Sequence, residues 1–173
     1  MRCFLSRYSL WSVYGITADL RLALFSEIFE PLSEFLDMEN RIDLIKSSPI
    51  LERKEKCPAC GCEYKVTKTG KLFFYDKLMS VILTFGLDIF VDDDVTEIVK
   101  RTVNTRNKML HVDAEKKNTF SGGQCGFYAR KYVELYRVIV LQQINMWTID
   151  MNNELKKLMR VYNKQFSKLR IRK

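Results

Sequence analysis

A chain of 173 residues, 47% hydrophobic and 12% aromatic, with three prolines and seven glycines, supports one sizeable core and excludes collagenous, low-complexity and wholly disordered classes. Its formal charge is +8, and it holds five cysteines and a single histidine. No uncharged apolar run reaches the roughly 18 residues that a bilayer crossing needs, and the opening MRCFLSRYSLWSVYGI is broken by Arg7 with no small-residue cleavage site, so a cytoplasmic protein without membrane contact is expected.

Asp19 is the expected N-cap of a first helix, LRLALFSEIFEPLSEFL, with Leu20, Leu24, Ile28, Leu32 and Phe35 as its apolar stripe and Pro31 as its kink. Residues 40–70 lose this period. They gather charge in LERKEK, carry the cluster Cys57-Pro-Ala-Cys60-Gly-Cys62, and continue into EYKVTKTG, which reads as a short hairpin or loop. KLFFYDKLMSVILTFG, residues 71–86, is apolar on most sides and predicts a buried helix with Gly86 near its C-terminus. Asp94 and Glu97 form a capping box for VTEIVKRTVNTRNKMLHV, which assigns the triple aspartate 92–94 to capping rather than metal binding.

Ser121-Gly122-Gly123 ends an exposed loop. The longest helix, CGFYARKYVELYRVIVLQQINMW, follows, with Phe127, Tyr128, Leu135, Val138, Ile139 and Leu141 available for packing. From residue 151 onward eight basic residues face the single acid Glu154, so seven of the eight net positive charges lie in the last 23 residues. There Leu155, Leu158, Met159, Tyr162, Phe166 and Leu169 recur at helical spacing, which predicts a basic amphipathic helix over 151–173. Lys156, Lys157, Arg160, Lys164 and Lys168 form its charged face, either a solvated surface or an RNA-binding one. The fold class expected is all-α: one up-and-down bundle of four to five helices over 1–173, with a cysteine-containing insertion at 40–70.

One position breaks the pattern. Val95, Ile98, Val99, Thr102, Val103, Met109 and Leu110 share a face of the 95–112 helix, and Arg106 falls near its centre. A guanidinium in an apolar stripe costs several kcal/mol unless an anion meets it, so a negative partner is required. A buried carboxylate is one such partner; a ligand in a cleft is another. Asn107 and His111, four apart, neighbour each other, so the amide could orient the imidazole. A lone histidine in a last helical turn also reads as a dipole-capping residue.

Arg106-Asn107-Lys-Met-Leu-His111, preceded by IVKRTVNT and followed by a loop and a long helix, resembles the Rx4-6H signature of HEPN domains. The context V-x-x-T-R-N-x-x-x-H is most similar to the Apea-like HEPN group of prokaryotic anti-phage defence proteins, over about residues 71–147. The resemblance implies a HEPN-like bundle and a homodimer whose two Arg-Asn-His sets face one cleft. It also implies a metal-independent endoribonuclease, acting in defence or as a toxin, in which Arg106, Asn107 and His111 are catalytic. A sensor or antitoxin partner is a further expectation. The alternative is a non-catalytic HEPN-like module that binds nucleotide, RNA or protein.

The cysteines have two readings. Cys57-Pro-Ala-Cys60-Gly has the shape of a zinc knuckle, and Cys62 is a candidate third ligand of a structural zinc. With no second CxxC, and with Cys3 and Cys125 remote in sequence, plain thiols are the other reading. Catalysis as implied above takes no cofactor.

Overall fold

The computed structural model describes residues 16–36, 51–56, 62–68, 73–110 and 117–172. Six α-helices are found among them: α1 (Ala18–Ser26), α2 (Phe29–Phe35), α3 (Phe74–Phe85), α4 (Val95–Leu110), α5 (Gly122–Gln143) and α6 (Ile149–Gln165). A 3-10 turn, Ser167–Leu169, follows α6. Strands β1 (Leu51–Lys56) and β2 (Glu63–Lys68) pair antiparallel from Leu51↔Lys68 to Lys56↔Glu63. The fold is therefore helical with one hairpin. That hairpin flanks the cysteine segment, and the charged run LERKEK is itself a strand.

The expected first helix is two helices. Pro31 has no N–H to give the Glu27 carbonyl, and its ring crowds that carbonyl, so the helical ladder fails one turn upstream of the proline. Ile28 N bonds Phe25 O three residues back, the Glu27 N to Ala23 O bond is stretched to 3.4 Å, and a regular ladder resumes with Leu32 N to Ile28 O. The elbow thus sits at Glu27 and Ile28, not at Pro31. The N-cap position belongs to Thr17 rather than Asp19. Asp19 lies inside the first turn, where the Thr17 hydroxyl donates to its carboxylate and holds it below its ordinary range.

The core runs the length of the bundle. α1 is apolar nearly all round and packs against both α4 and α5, burying Leu22, Ala23 and Phe25, while α2 packs against α3 and α3 also against α4. The predicted stripe is displaced accordingly: Ile28 and Leu32 are buried, but Phe35 is exposed. Phe29, Phe90 and Tyr132 meet at ring distances of 5.5–5.6 Å, and Tyr132 hydrogen-bonds the buried Thr102 hydroxyl at 2.7 Å. Burying each such ring contributes about 1.5–3 kcal/mol before entropy is counted.

The caps explain the helix limits. Gly86 closes α3, its N–H donating to Ile82 O, and a Cβ there would lie 3.0 Å from that same oxygen. Asp94 accepts from Glu97 N at 3.0 Å, as a capping residue should. The reciprocal half of the box is absent, because Asp94 N donates to Ile171 O and the Glu97 carboxylate turns to Arg101 and Asn118. α5 begins at Gly122, earlier than expected, since Ser121 and Gln124 cap it reciprocally. Gly123 packs closely under the C-terminal turn: a Cβ would meet the Leu169 side chain at 3.3 Å, which would have to give by a few tenths of an ångström.

The basic C-terminal helix is shorter than its expected span. It stops at Gln165, and residues 170–172 run extended against the start of α4, with a bridge between Asp93 and Arg172. Leu155 and Met159 are buried, and Tyr162 stacks on Phe127 at 5.0 Å. Leu158 departs from the expected packing face and is 49% exposed.

Candidate functional site

Arg106 sits in the last turn and a half of α4, and its side chain is 14% exposed. The negative partner that its position requires comes from the α1–α2 elbow of the same chain. Nε donates to the Glu27 carboxylate, Nη2 donates to Glu30 Oε2 at 3.2 Å, and the guanidinium lies 4.3 Å from the centre of the Phe74 ring. Nη1 makes no hydrogen bond among the described residues. The cation is thus fixed in plane and partly spent, which neither a snorkelling arginine nor an empty anion seat would show.

The network extends one helix further. Lys77 of α3, almost fully buried, donates to Glu34 at 2.6 Å and lies 3.9 Å from Glu30 Oε1. Glu30 is therefore shared between two cations. Glu27, Arg106, Glu30, Lys77 and Glu34 form an alternating row of three carboxylates and two cations across α1, α2, α3 and α4.

Asn107 is half-buried beside Arg106, and its side chain makes no hydrogen bond among the described residues. His111 lies outside those residues, as do Cys57 and Cys60. The chain that follows His111 is pinned back onto α4 where its description resumes: Asn104 Nδ2 donates to the carbonyls of Lys117 and Asn118 at 3.2 and 3.3 Å, and Phe120 N donates to Thr105 Oγ1. Residues 117–120 thus lie against the later turns of α4.

The basic residues of α6 and of the turn after it divide into two groups. Lys156 lies 3.3 Å from Asp88, beside a cleft of about 520 Å³ at the far end of α3 lined by Phe85, Trp147 and Asn152, and Lys157 pairs with Glu154 at 2.7 Å. Arg160, Lys164 and Lys168 are exposed and make no ion pair among the described residues. Lys157, Arg160 and Lys164 recur at three- and four-residue spacing, so they share one ridge. Arg170, by contrast, is turned inward: Nε donates to Asp93 Oδ1 at 2.9 Å and Nη2 to Val91 O at 2.8 Å. No described contact joins this ridge to Arg106, which faces α1, α2 and α3.

Cys62, the remaining expected zinc ligand, is exposed immediately before β2. Cys125 is buried in α5, where desolvation pushes its thiol up to about 12, a setting that suits a core residue and not a thiolate ligand.

Two clusters escaped the sequence reading. Asp93 is fully buried and paired with Lys131, also fully buried and surrounded by Phe90, Phe127 and Tyr128 rings at 5.0–6.0 Å. Lys77 is the second hidden cation. The signal for both was present: Lys131 lies four residues after Phe127 and four before Leu135, and Lys77 four before Val81, which places each in an apolar stripe as Arg106 is. Desolvation draws the Lys131 ammonium below its ordinary range, against the opposing pull of Asp93.

The chain matches no family model, no curated protein and no solved structure.

Proposed function

We propose that this chain is a HEPN-like, metal-independent endoribonuclease, cytoplasmic and homodimeric, that serves anti-phage defence or acts as a toxin. The observation that carries the reading is the state of Arg106: a guanidinium immobilised in the last turns of α4, with Nη1 unspent among the described residues, on the helix whose sequence runs Arg-Asn-x-x-x-His. The chemistry suits these residue types. RNA supplies its own nucleophile, the 2′-OH, so cleavage needs a proton carrier near neutral pH and a fixed cation for the charge that builds on the phosphate. His111 is assigned the proton transfer, Arg106 the phosphate, and Asn107 the orientation of either. The exposed Arg160 and Lys164 of α6, with Lys168 in the turn that follows it, supply sequence-independent affinity for the RNA backbone.

A second reading is favoured by one observation. Two carboxylates already neutralise Arg106, as they would in a helical RNA-binding module that uses the α6 ridge and does not cut. Purified protein incubated with total RNA in excess chelator separates the two. The ribonuclease reading expects cleavage by the wild type and a loss of at least about 100-fold in His111→Ala and Arg106→Ala. Intact RNA with the wild type, or equal cleavage by the variants, supports the binding module. Light scattering that shows only monomer across micromolar concentrations removes the homodimer.

A further inference from the structure

We infer that the cleft between the C-terminal ends of α3 and α5 and the start of α6 is a nucleobase pocket, which receives one base of an RNA strand whose phosphates follow α6. The inference rests on the reading of α6 as an RNA-binding surface. Its basis is the make-up of the walls. Phe85 and Trp147 contribute two aromatic rings to a space of about 520 Å³, within the roughly 300–1,000 Å³ of small-molecule sites. Bases stack on such rings whatever their identity, because every base has a π-face.

The polar groups around those rings are incompletely bonded. Thr84 Oγ1 is buried and makes no hydrogen bond among the described residues, and neither does the side-chain amide of the half-buried Gln142. Asp88 Oδ2 accepts from Asn152 Nδ2 at 3.3 Å and lies 3.3 Å from Lys156 Nζ, while Oδ1 makes no hydrogen bond among the described residues. A purely structural polar edge would close on itself, since inward hydroxyls and amides ordinarily find partners. An amide that both donates and accepts, beside a hydroxyl and a carboxylate oxygen, matches the mixed donor and acceptor edge of a base and not an aliphatic chain.

Placement supplies the rest. Lys156 stands at the cleft, and Arg160 and Lys164 follow it at four-residue spacing, so the pocket heads a track of cations along α6. Lys156 also neutralises Asp88, so the carboxylate in the wall does not turn a polyanion away. Leu87 and Ile149 line the cleft and are 59% and 80% exposed, an apolar margin that a base and its ribose would cover. The cations hold any phosphate backbone, whereas the pocket admits only a base that is free of its neighbours. The protein therefore selects single-stranded RNA over duplex.

Fluorescence anisotropy in a His111→Ala background, where RNA is not consumed, compares a short labelled single-stranded RNA with an abasic oligomer of the same length. Trp147→Ala should weaken binding of the RNA roughly tenfold and leave the abasic oligomer unaffected, with Trp147→Phe close to the parent. The salt dependence of RNA binding should be unchanged in Trp147→Ala, because stacking releases no counterions, and shallower when Arg160→Ala and Lys164→Ala are combined. Equal affinity of the parent for the two oligomers overturns the pocket and leaves the α6 surface standing. A Trp147→Ala loss that the abasic oligomer shares also overturns it, because that reflects a disturbed fold. Should Trp147→Ala fail to fold, Gln142→Ala, which removes no described side-chain hydrogen bond, should weaken RNA binding roughly threefold with the same dependence on the bases, and no such loss overturns the pocket. If neither oligomer binds, the α6 reading fails, and saturation-transfer NMR with adenosine 5′-monophosphate decides the pocket by itself. Saturation that reaches the base protons and disappears in Trp147→Ala or Gln142→Ala retains it; none overturns it.

Discussion

The two ends of α4 each carry an ion cluster, and they are built to opposite specifications. At the N-terminal end Asp93 and Lys131 are 0% exposed, Arg170 closes the group from the C-terminal strand, and positive charge exceeds negative by one. At the C-terminal end Arg106, Glu27 and Glu30 remain in partial contact with solvent, and Glu30 is shared between Arg106 and Lys77. The residues on α4 itself suit the helix dipole, Asp94 and Glu97 at its start and Arg106 near its end, although the partners packed on them carry the opposite signs. The two clusters differ in exchange. A sealed pair cannot swap partners without unpacking the aromatic rings around it, whereas an open one can trade a carboxylate for another anion at modest cost. Burial rather than ion pairing as such separates the structural end from the functional candidate.

The sharpest way to break this contrast is Asp93→Ala. It strands Lys131 among Phe90, Phe127 and Tyr128 and frees Arg170, and should cost about 3–5 kcal/mol in urea unfolding. A loss under about 1 kcal/mol would mean that Lys131 reaches water or sheds its proton cheaply. Arg106→Ala should cost less, about 1–2 kcal/mol, because the carboxylates left behind can rehydrate. Equal losses at the two ends would make Arg106 a structural residue after all.

The smallest effect is expected on the exposed side of the same helix. Hydrogen bonds from Asn118 and Arg101 hold the Glu97 carboxylate below its ordinary value of 4.5, so its stabilising contribution is complete above that pH and is lost as pH falls through the lowered folded value. The stability gap between wild type and Glu97→Gln should therefore close on acidification below 4.5. A gap unchanged by acid would show that Asn118 and Arg101 bind the glutamine equally well.

Local rules were legible in the sequence, and long-range pairing was not. Apolar period and capping chemistry placed α3, α4 and α5 within a few residues, and the Asp94 cap stands as expected. The pattern also showed that Arg106 needs an anion. It could not say which, because Glu27 and Glu30 lie 79 and 76 residues upstream and periodicity carries no information about what packs on what. Pro31 announced a disturbance but not its place, since the proline breaks the ladder at the carbonyl four residues before it. The inward turn of Arg170 was hidden for a related reason: a residue at the end of a basic run looks solvated until a buried aspartate is found to face it.

The position of α1 between α4 and α5 also bears on the order in which the chain folds. α2, α3, α4 and α5 can begin to assemble from neighbouring segments, but α1 must close its contacts with α5 across roughly a hundred residues, and such distant closure is the slow step in helical proteins. Leu22, Phe25 and Ile28 stay uncovered until it docks. Arg106 gains Glu27 only at that moment. A newly made chain therefore passes through an interval in which the Arg106 cation is present and its Glu27 partner is not.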